Sequence, residues 1–355
     1  MAGVFAQENG LCQRLRLRPT NTVKPASTSI AVVGGGSWAT AIIKILCENN
    51  VKIRWWLRDG QDAAYIRKHH TNPTYLRDVR LDPRKVKPFT KISEAILGAE
   101  YVILAIPAAF VAEPLQTLKP QHFANKRVVS AIKGMIPDAH CLVTDWVAQR
   151  FDVPQSNLCV IAGPCHAEEI ALEKQSYLTI AATNHACAAD FAQLMSGRFV
   201  VANPLLDLYG VEYAAVMKNI VALACGITHG LGYGDNFQAV MVSNAMKEIA
   251  GLVEAIDPRP RNLDASAYLG DLLVTAYSQF SRNRTFGNMI GRGYSVKSAQ
   301  IEMKMIAEGY YAAKSIYELN KSLNVQLPIA EMVYQILYQQ QPVAAAVNAL
   351  KLQLK

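Results

Sequence analysis

Apolar residues arrive along this chain in two rhythms. Between residues 29 and 183 they come as short, nearly unbroken runs: SIAVV (29–33), VKIRWWL (51–57), YVILAIP (101–107), RVVSAIK (127–133), LCVIAG (158–163) and YLTIAAT (177–183). Each is followed by a stretch that reads as helix, such as WATAIIKILCENN (38–50) after the first. This alternation predicts an α/β fold with a mainly parallel, doubly wound sheet, and strands this apolar are buried on both faces. After Asn203-Pro204 the rhythm changes, and from Asp207 onward every segment has helical character, as in 208–231, 236–256, 295–323 and 329–339. The expected organisation is a sheet domain over 29–204, an all-helical domain over 205–355 and a separate arm over 1–28.

The turn after the first run is Gly34-Gly35-Gly36-Ser37-Trp38-Ala39, a G-x-G-x-x-A pattern. Gly34 permits a tight turn, Gly36 lets backbone approach a pyrophosphate, and Ala39 allows close helix–strand packing. The N–H groups at the helix start would face the anion. Alone the motif is weak, but here it follows a strand, opens a helix and comes first in the alternation. It predicts a Rossmann-type, dinucleotide-binding domain; the alternative is a merely structural glycine turn. The second run ends in Trp56-Leu57-Arg58-Asp59. An acid at that place binds a ribose 2′-hydroxyl, but Asp59 stands one position late. Arg58 is suited to a 2′-phosphate or to stacking on adenine, or it caps a strand end at the surface. NADP fits, and NAD stays open.

Composition narrows the class. The chain has 355 residues, of which 51% are hydrophobic and 18% charged, enough for roughly two domains with a large core. No uninterrupted apolar run reaches the roughly 18 residues of a membrane span. The seven cysteines are scattered without a CxxC pair, which argues for reduced thiols in a cytoplasm and against a disulfide framework or a metal site. The net charge of +8 has no long basic block behind it outside the first 24 residues, so it serves an anionic small molecule as readily as nucleic acid. The arm is basic and turn-rich, which suits either a poorly ordered tail or an organelle-type presequence.

The helical half contains YAAVMKNIVALAC (213–225), where Lys218 and Asn219 stand among apolar neighbours. Burying an unpaired ammonium costs several kcal/mol, so such a lysine deprotonates or finds partners. Glu212, six residues earlier, falls on a different helical face. Either Lys218 snorkels to water along its stem, or the polar pair marks a reactive patch. A second cation nearby would bring its pKa toward neutrality. Lys133, closing the run RVVSAIK, is the candidate, because ligands of open α/β sheets bind beyond the carboxyl ends of strands; the plainer reading is a solvated strand-end lysine. In GDLLVTAYSQFSRNRTFG (270–287), Asp271 and Thr275 are four apart and share a helix face. Ser281, Arg282 and Asn283 cluster at a loop or helix start, good chemistry for gripping a phosphate. The alternative is a basic surface loop with Arg284.

The segments GGGSWATA, AIKG, GPCHAEEI, MKNIVALACGITHGLGYGDN, GDLLVT, SRNRTFG and AEG follow one another in this chain. In that order, over about residues 29–340, the sequence resembles soluble NAD(P)-dependent glycerol-3-phosphate dehydrogenases of the bacterial branch. The resemblance implies reversible hydride transfer between NAD(P)H and dihydroxyacetone phosphate, giving sn-glycerol 3-phosphate for glycerophospholipid synthesis. It implies Lys218 as proton donor and acceptor, with Lys133 and Asp271 as its pocket partners and substrate contacts. Asn219 and Thr275 would join that pocket, and Ser281, Arg282 and Asn283 would hold the substrate phosphate. Gly163 and Cys165 would line the substrate, and Ala167 would lie by the nicotinamide. Gly34, Gly36, Ser37, Trp38, Arg58, Lys133, Arg282, Ile306 and Glu308 would contact the cofactor. A homodimer formed through the helical domain is the expected assembly.

There are departures from the family pattern. Ala39 stands where glycine is usual, Cys165-His166 replaces a Ser/Thr-Phe pair, His229 replaces an acid, and YLRDVRL (75–81) lacks the usual proline and glycine. The nearest rival is a two-domain dehydrogenase of the 6-phosphogluconate or 3-hydroxyacid type, in which the helix lysine and asparagine are usually separated rather than adjacent. A non-catalytic cofactor-binding regulator would lack the proton carriers present here.

Overall fold

A computed structural model describes residues 27–303 and 307–355. The arm up to Ala26, and Ile306 among the expected cofactor contacts, lie outside these residues. Ten strands are present among the described residues: β1 (Thr28–Val33), β2 (Val51–Trp56), β3 (Val86–Phe89), β4 (Tyr101–Leu104), β5 (Arg127–Ser130), β6 (Met135–Ile136), β7 (Cys141–Leu142), β8 (Leu158–Ala162), β9 (Ser176–Ala182) and β10 (Val200–Leu205). Eight form one sheet in the order β10-β9-β8-β5-β4-β1-β2-β3, while β6 and β7 make a separate pair. Every pairing in the large sheet is parallel except β8 with β9. The expected doubly wound α/β sheet is therefore present, with its last two strands reversed.

Both faces of the sheet are covered. Ile30 and Val32 of β1 pack in one core with Ile42, Ile43 and Trp55. Ala31 and Val33 point the other way, into a core shared with Val102, Val128 and the helical half. Period-two alternation between two apolar layers is why these strands read as continuous apolar runs. Three pieces had no such signal. Edge strand β3 is four residues long and contains Pro88, β10 alternates buried and exposed positions, and the β6–β7 pair has two residues a side. One boundary also differs. β5 stops at Ser130, so Lys133 does not close the strand but sits in the loop beyond it.

From Leu208 on, the secondary structure among the described residues is helical. Leu208–Gly230, here termed the lysine helix, is central, with twenty of its 23 residues buried. By length and composition it passes for a membrane span, although Lys218 and Asn219 interrupt its apolar run, and its most apolar window is wholly buried inside the protein. Helix Arg282–Gly291 lies against it at unusually close range. A Cβ on Gly287 would meet the Leu223 carbonyl oxygen at 2.0 Å, and one on Gly226 would meet that of Arg284 at 2.1 Å. Only glycine permits this approach.

Candidate active site

The first turn of the dinucleotide motif is built for an anion. Gly34 has φ +134°, and a Cβ there would lie 2.3 Å from the Ala105 carbonyl oxygen. Trp55 Nε1 donates to the Gly34 carbonyl at 2.6 Å, which fixes the turn. Gly36 caps helix Ser37–Leu46 without a side-chain hydrogen bond, no acid lies in the first turn, and the space beside Gly36 is open. Its N–H groups are thus left for a ligand phosphate. Ala39 is fully buried, so a methyl fits where the family usually has glycine. Asp59 caps helix Gly60–His69 by accepting from the Gln61 N–H at 2.7 Å, which engages the acid nearest the ribose position. Arg58 beside it is exposed and, among the described residues, has no hydrogen-bond partner.

The lysine pair meets at a single carboxylate. Lys218 and Asn219, on the lysine helix, are 5% and 6% exposed. Lys218 Nζ donates to Asp271 Oδ1 and, at 2.9 Å, to Thr275 Oγ1. The Thr275 hydroxyl in turn donates to the Asp271 carbonyl at 2.6 Å, the i,i+4 geometry of helix Asp271–Tyr277. Lys133 Nζ donates to Asp271 Oδ2 at 3.1 Å and to the Gly163 carbonyl at 3.3 Å, while the Gly163 N–H donates to Oδ2 at 3.3 Å. Asn219 Nδ2 donates to the Lys133 carbonyl at 2.7 Å and so pins that loop to the lysine helix. Glu212, as its helical angle requires, faces elsewhere: its carboxylate takes the hydroxyl and N–H of Thr144, and burial pushes its pKa up to about 8.

Electrostatics follow from this geometry. Burial is the largest influence on Lys218 and brings it down to about 7; the Asp271 carboxylate opposes that shift and the Lys133 cation adds to it. Burial also works against the charge on Lys133, but Asp271 outweighs it and holds this lysine above its ordinary value. Burial disfavours an ionised Asp271 too, and the two lysines more than compensate, leaving its pKa lowered. The Cys165 thiol is pushed up to about 12 by burial, with Lys133 pulling the other way, so it stays a thiol.

One cleft of about 980 Å³ joins the two ends. Gly34, Gly36, Ser37, Trp38 and Arg58 line one part; Lys133, Cys165, Ala167, Lys218, Asn219, Asp271, Thr275, Ser281, Arg282, Asn283 and Glu308 line the rest. Gly163 is behind the wall, with both backbone polar groups held by Asp271 and Lys133. Ser281 caps helix Arg282–Gly291 by accepting from the Arg284 N–H at 3.3 Å. Asn283 Oδ1 accepts from the Gly309 N–H at 2.8 Å, which leaves its amide hydrogens for a ligand. Arg282 is exposed and, among the described residues, makes no ion pair. Glu308 Oε1 accepts from the Ala108 N–H at 3.0 Å, a link from the helical half to the sheet half. Its Oε2 is buried without a partner, and burial raises the carboxyl to about 7.

What sequence reasoning missed is how Asp271 is held. It follows a π-helical turn, Ser266–Gly270. Tyr268 of that turn donates its hydroxyl to Asp207, the cap of the lysine helix, and Arg261 grips the same carboxylate through Nε at 2.7 Å and a terminal nitrogen at 3.1 Å. This node ties the start of the lysine helix to the turn that presents Asp271. Spacing carried no sign of it, because Arg261 lies 54 residues from Asp207.

Comparison with known proteins agrees with this architecture. Residues 29–188 match the family model described as NAD-dependent glycerol-3-phosphate dehydrogenase N-terminus, and residues 207–348 match its C-terminus. A glycerol-3-phosphate dehydrogenase [NAD(P)+] of Shouchella clausii (strain KSM-K16) is 34% identical over 314 residues, 87% of this chain and 91% of that protein. That of Bacillus subtilis (strain 168) is 34% identical over 328 residues, 90% and 93% of the two chains. The crystal structure of glycerol-3-phosphate dehydrogenase from Coxiella burnetii superposes with a TM-score of 0.85 at 27% identity, covering 91% of this chain and 98% of that one. With both halves of the family model matched in order, and a third of residues shared over nearly the full length of these relatives, the chain belongs to the NAD-dependent glycerol-3-phosphate dehydrogenase family.

Proposed function

We propose that this protein interconverts dihydroxyacetone phosphate and sn-glycerol 3-phosphate with NADH or NADPH, supplying glycerophospholipid synthesis. The observation that carries the chemistry is the Lys218–Asp271–Lys133 cluster opening on a cleft whose far end is an anion-ready glycine turn. The bound dinucleotide supplies or accepts the hydride. Lys218, near neutrality, acts as an ammonium that gives a proton to the developing alkoxide in reduction, and as a free amine that takes the hydroxyl proton in oxidation. Lys133 adds positive potential and keeps the Lys218 proton labile. Asp271 and Thr275 aim the Lys218 ammonium. Arg282, with Ser281 and the Asn283 amide, holds the substrate phosphate and so orients the reacting carbon.

Gly34, Gly36, Ser37 and Trp38 would hold the dinucleotide pyrophosphate, with Arg58 at the ribose, Ala167 and Lys133 by the nicotinamide, and Arg282 and Glu308 beside the cofactor. Because Asp59 is engaged as a helix cap, Arg58 favours a 2′-phosphate. The deciding experiment is the rate of NADH and NADPH oxidation with dihydroxyacetone phosphate, compared with β-hydroxyacids in the reverse direction. A protein active only on the hydroxyacids refutes the reading. Arg58→Ala should raise KM for NADPH more than for NADH. We also place the protein in the cytoplasm as a homodimer, without nucleic-acid partners; a monomer by light scattering at assay concentration would contradict the assembly.

A further inference from the structure

Among the described residues, five buried side-chain polar atoms lack a hydrogen-bond partner: Trp38 Nε1, His166 Nε2, Arg284 Nε, Asn288 Oδ1 and Glu308 Oε2. An unpaired buried polar atom destabilises a fold, so each one in a native protein calls for a reason. Three of the five, on Trp38, His166 and Glu308, belong to residues lining the one cleft. Trp38 and Glu308 have a part in holding the dinucleotide on the reading above. His166 has none.

We propose that His166 binds the small phosphorylated substrate, its Nε2 hydrogen-bonding a substrate oxygen beside Lys218 and Lys133. The inference rests on the functional reading above and adds a specificity contact to it. His166 stands between Cys165 and Ala167, at the N-cap of the short helix Ala167–Ala171, yet its side chain makes no capping bond. The nitrogen is therefore not spent on the fold. The ring packs against Phe280, with centroids 5.9 Å apart and planes at 59°, and Phe280 immediately precedes Ser281 and Arg282. The imidazole is thus near both the phosphate-holding segment, through Phe280, and the two lysines, whose charges it feels, and it lines the cleft they share.

The character of the contact follows from charge. Burial, then Lys218 and Lys133, hold the imidazole below its ordinary pKa, so it is neutral at physiological pH. A neutral ring offers one N–H and one lone pair. That suits a carbonyl or hydroxyl oxygen, in a pocket whose cations already answer the phosphate. Phenylalanine would keep the contact with Phe280 and remove only the nitrogens.

The test compares wild type, His166→Phe and His166→Asn. KM for dihydroxyacetone phosphate is measured at saturating cofactor, KM for the cofactor at saturating ketone, and the melting temperature without ligand. His166→Phe should raise KM for the ketone about ten-fold, the loss of one hydrogen bond, and leave cofactor KM within about two-fold. His166→Asn should recover part of the loss. The ligand-free melting temperature of His166→Phe should stay level or rise, because an unpaired buried atom has gone. Unchanged ketone KM, a rise in cofactor KM alone, or a ketone effect accompanied by a fall in melting temperature overturns the inference. A wild-type enzyme unable to reduce dihydroxyacetone phosphate sinks the functional reading and this inference together; an active wild type with an indifferent variant sinks this inference alone.

Discussion

Two clusters of buried charge sit on the lysine helix, and they are built differently. At its start, Asp207 meets Arg261, whose remaining donors go to Asp257 and to the carbonyls of Val253 and Asp257, while Tyr268 fills a further position on Asp207. Arg259 pairs with Asp257 nearby, so two cations answer two anions. Three turns later, two ammonium groups share the one carboxylate of Asp271. The first cluster is charge-balanced, with Asp207 and Arg261 buried and Arg259 at the surface. The second carries surplus positive charge and faces a cleft. A fold keeps such an imbalance at a cost in stability, and the imbalance is what moves Lys218 to where it can exchange a proton.

If the contrast is right, the two clusters should fail in opposite ways. Lys218→Ala is expected to lower kcat by at least about 10² while leaving the melting temperature unchanged or higher, since a desolvated ammonium is removed. A fully active variant would reject the assignment of Lys218. Arg261→Leu should do the reverse. It strands Asp207 without its charge partner, which costs roughly 3–5 kcal/mol and lowers the melting temperature by about 10 °C, with a smaller loss of kcat at temperatures where the variant stays folded. Equal stability losses in the two variants would erase the distinction.

The remaining expectations sharpen it. Arg282→Ala should raise KM for dihydroxyacetone phosphate by about ten-fold or more, the loss of a charge-assisted hydrogen bond, with kcat less affected; an unchanged KM would move the phosphate elsewhere. The smallest effect concerns pH. With Lys218 near 7, kcat for ketone reduction should fall as pH rises through about 7, because the ammonium form is lost. In the oxidising direction kcat should rise over the same range, as the free amine appears. Asp271→Asn removes the carboxylate that favours the ammonium, so both limbs should shift to lower pH. Profiles flat from pH 6 to 8 in both directions would show that another group carries the proton.

Much of the fold was legible because local chemistry and global packing agree. The buried strands announced themselves as apolar runs, and the glycine turn through the small residues at Gly34, Gly36 and Ala39, of which Gly34 is the one where a Cβ would clash. The β8–β9 reversal was not legible, since an apolar strand reads alike in either direction. Nor were β3 and β10, whose edge and alternating character weakens the signal. In the site, the Asp271–Thr275 pair was readable because four residues make one helical turn. Lys133 was read as closing a sheet strand, but the strand stops at Ser130 and the lysine lies in the loop that follows.

By itself the sequence determined which groups are present and which face of its own element each one takes, because helical and strand periods are local properties. It also singled out a lysine that its own helix leaves without a partner. Only the tertiary structure decided that Lys218 meets Asp271, 53 residues on, that Lys133 shares that carboxylate from 138 residues away, and that His166, with an unpaired nitrogen, lines the same cleft. Those distances are spanned by sheet pairing, by the close crossing of helices at Gly226 and Gly287, and by the Arg261 node. The pKa of Lys218 belongs with them, since desolvation and the spacing of two cations about one anion exist only once the chain has folded.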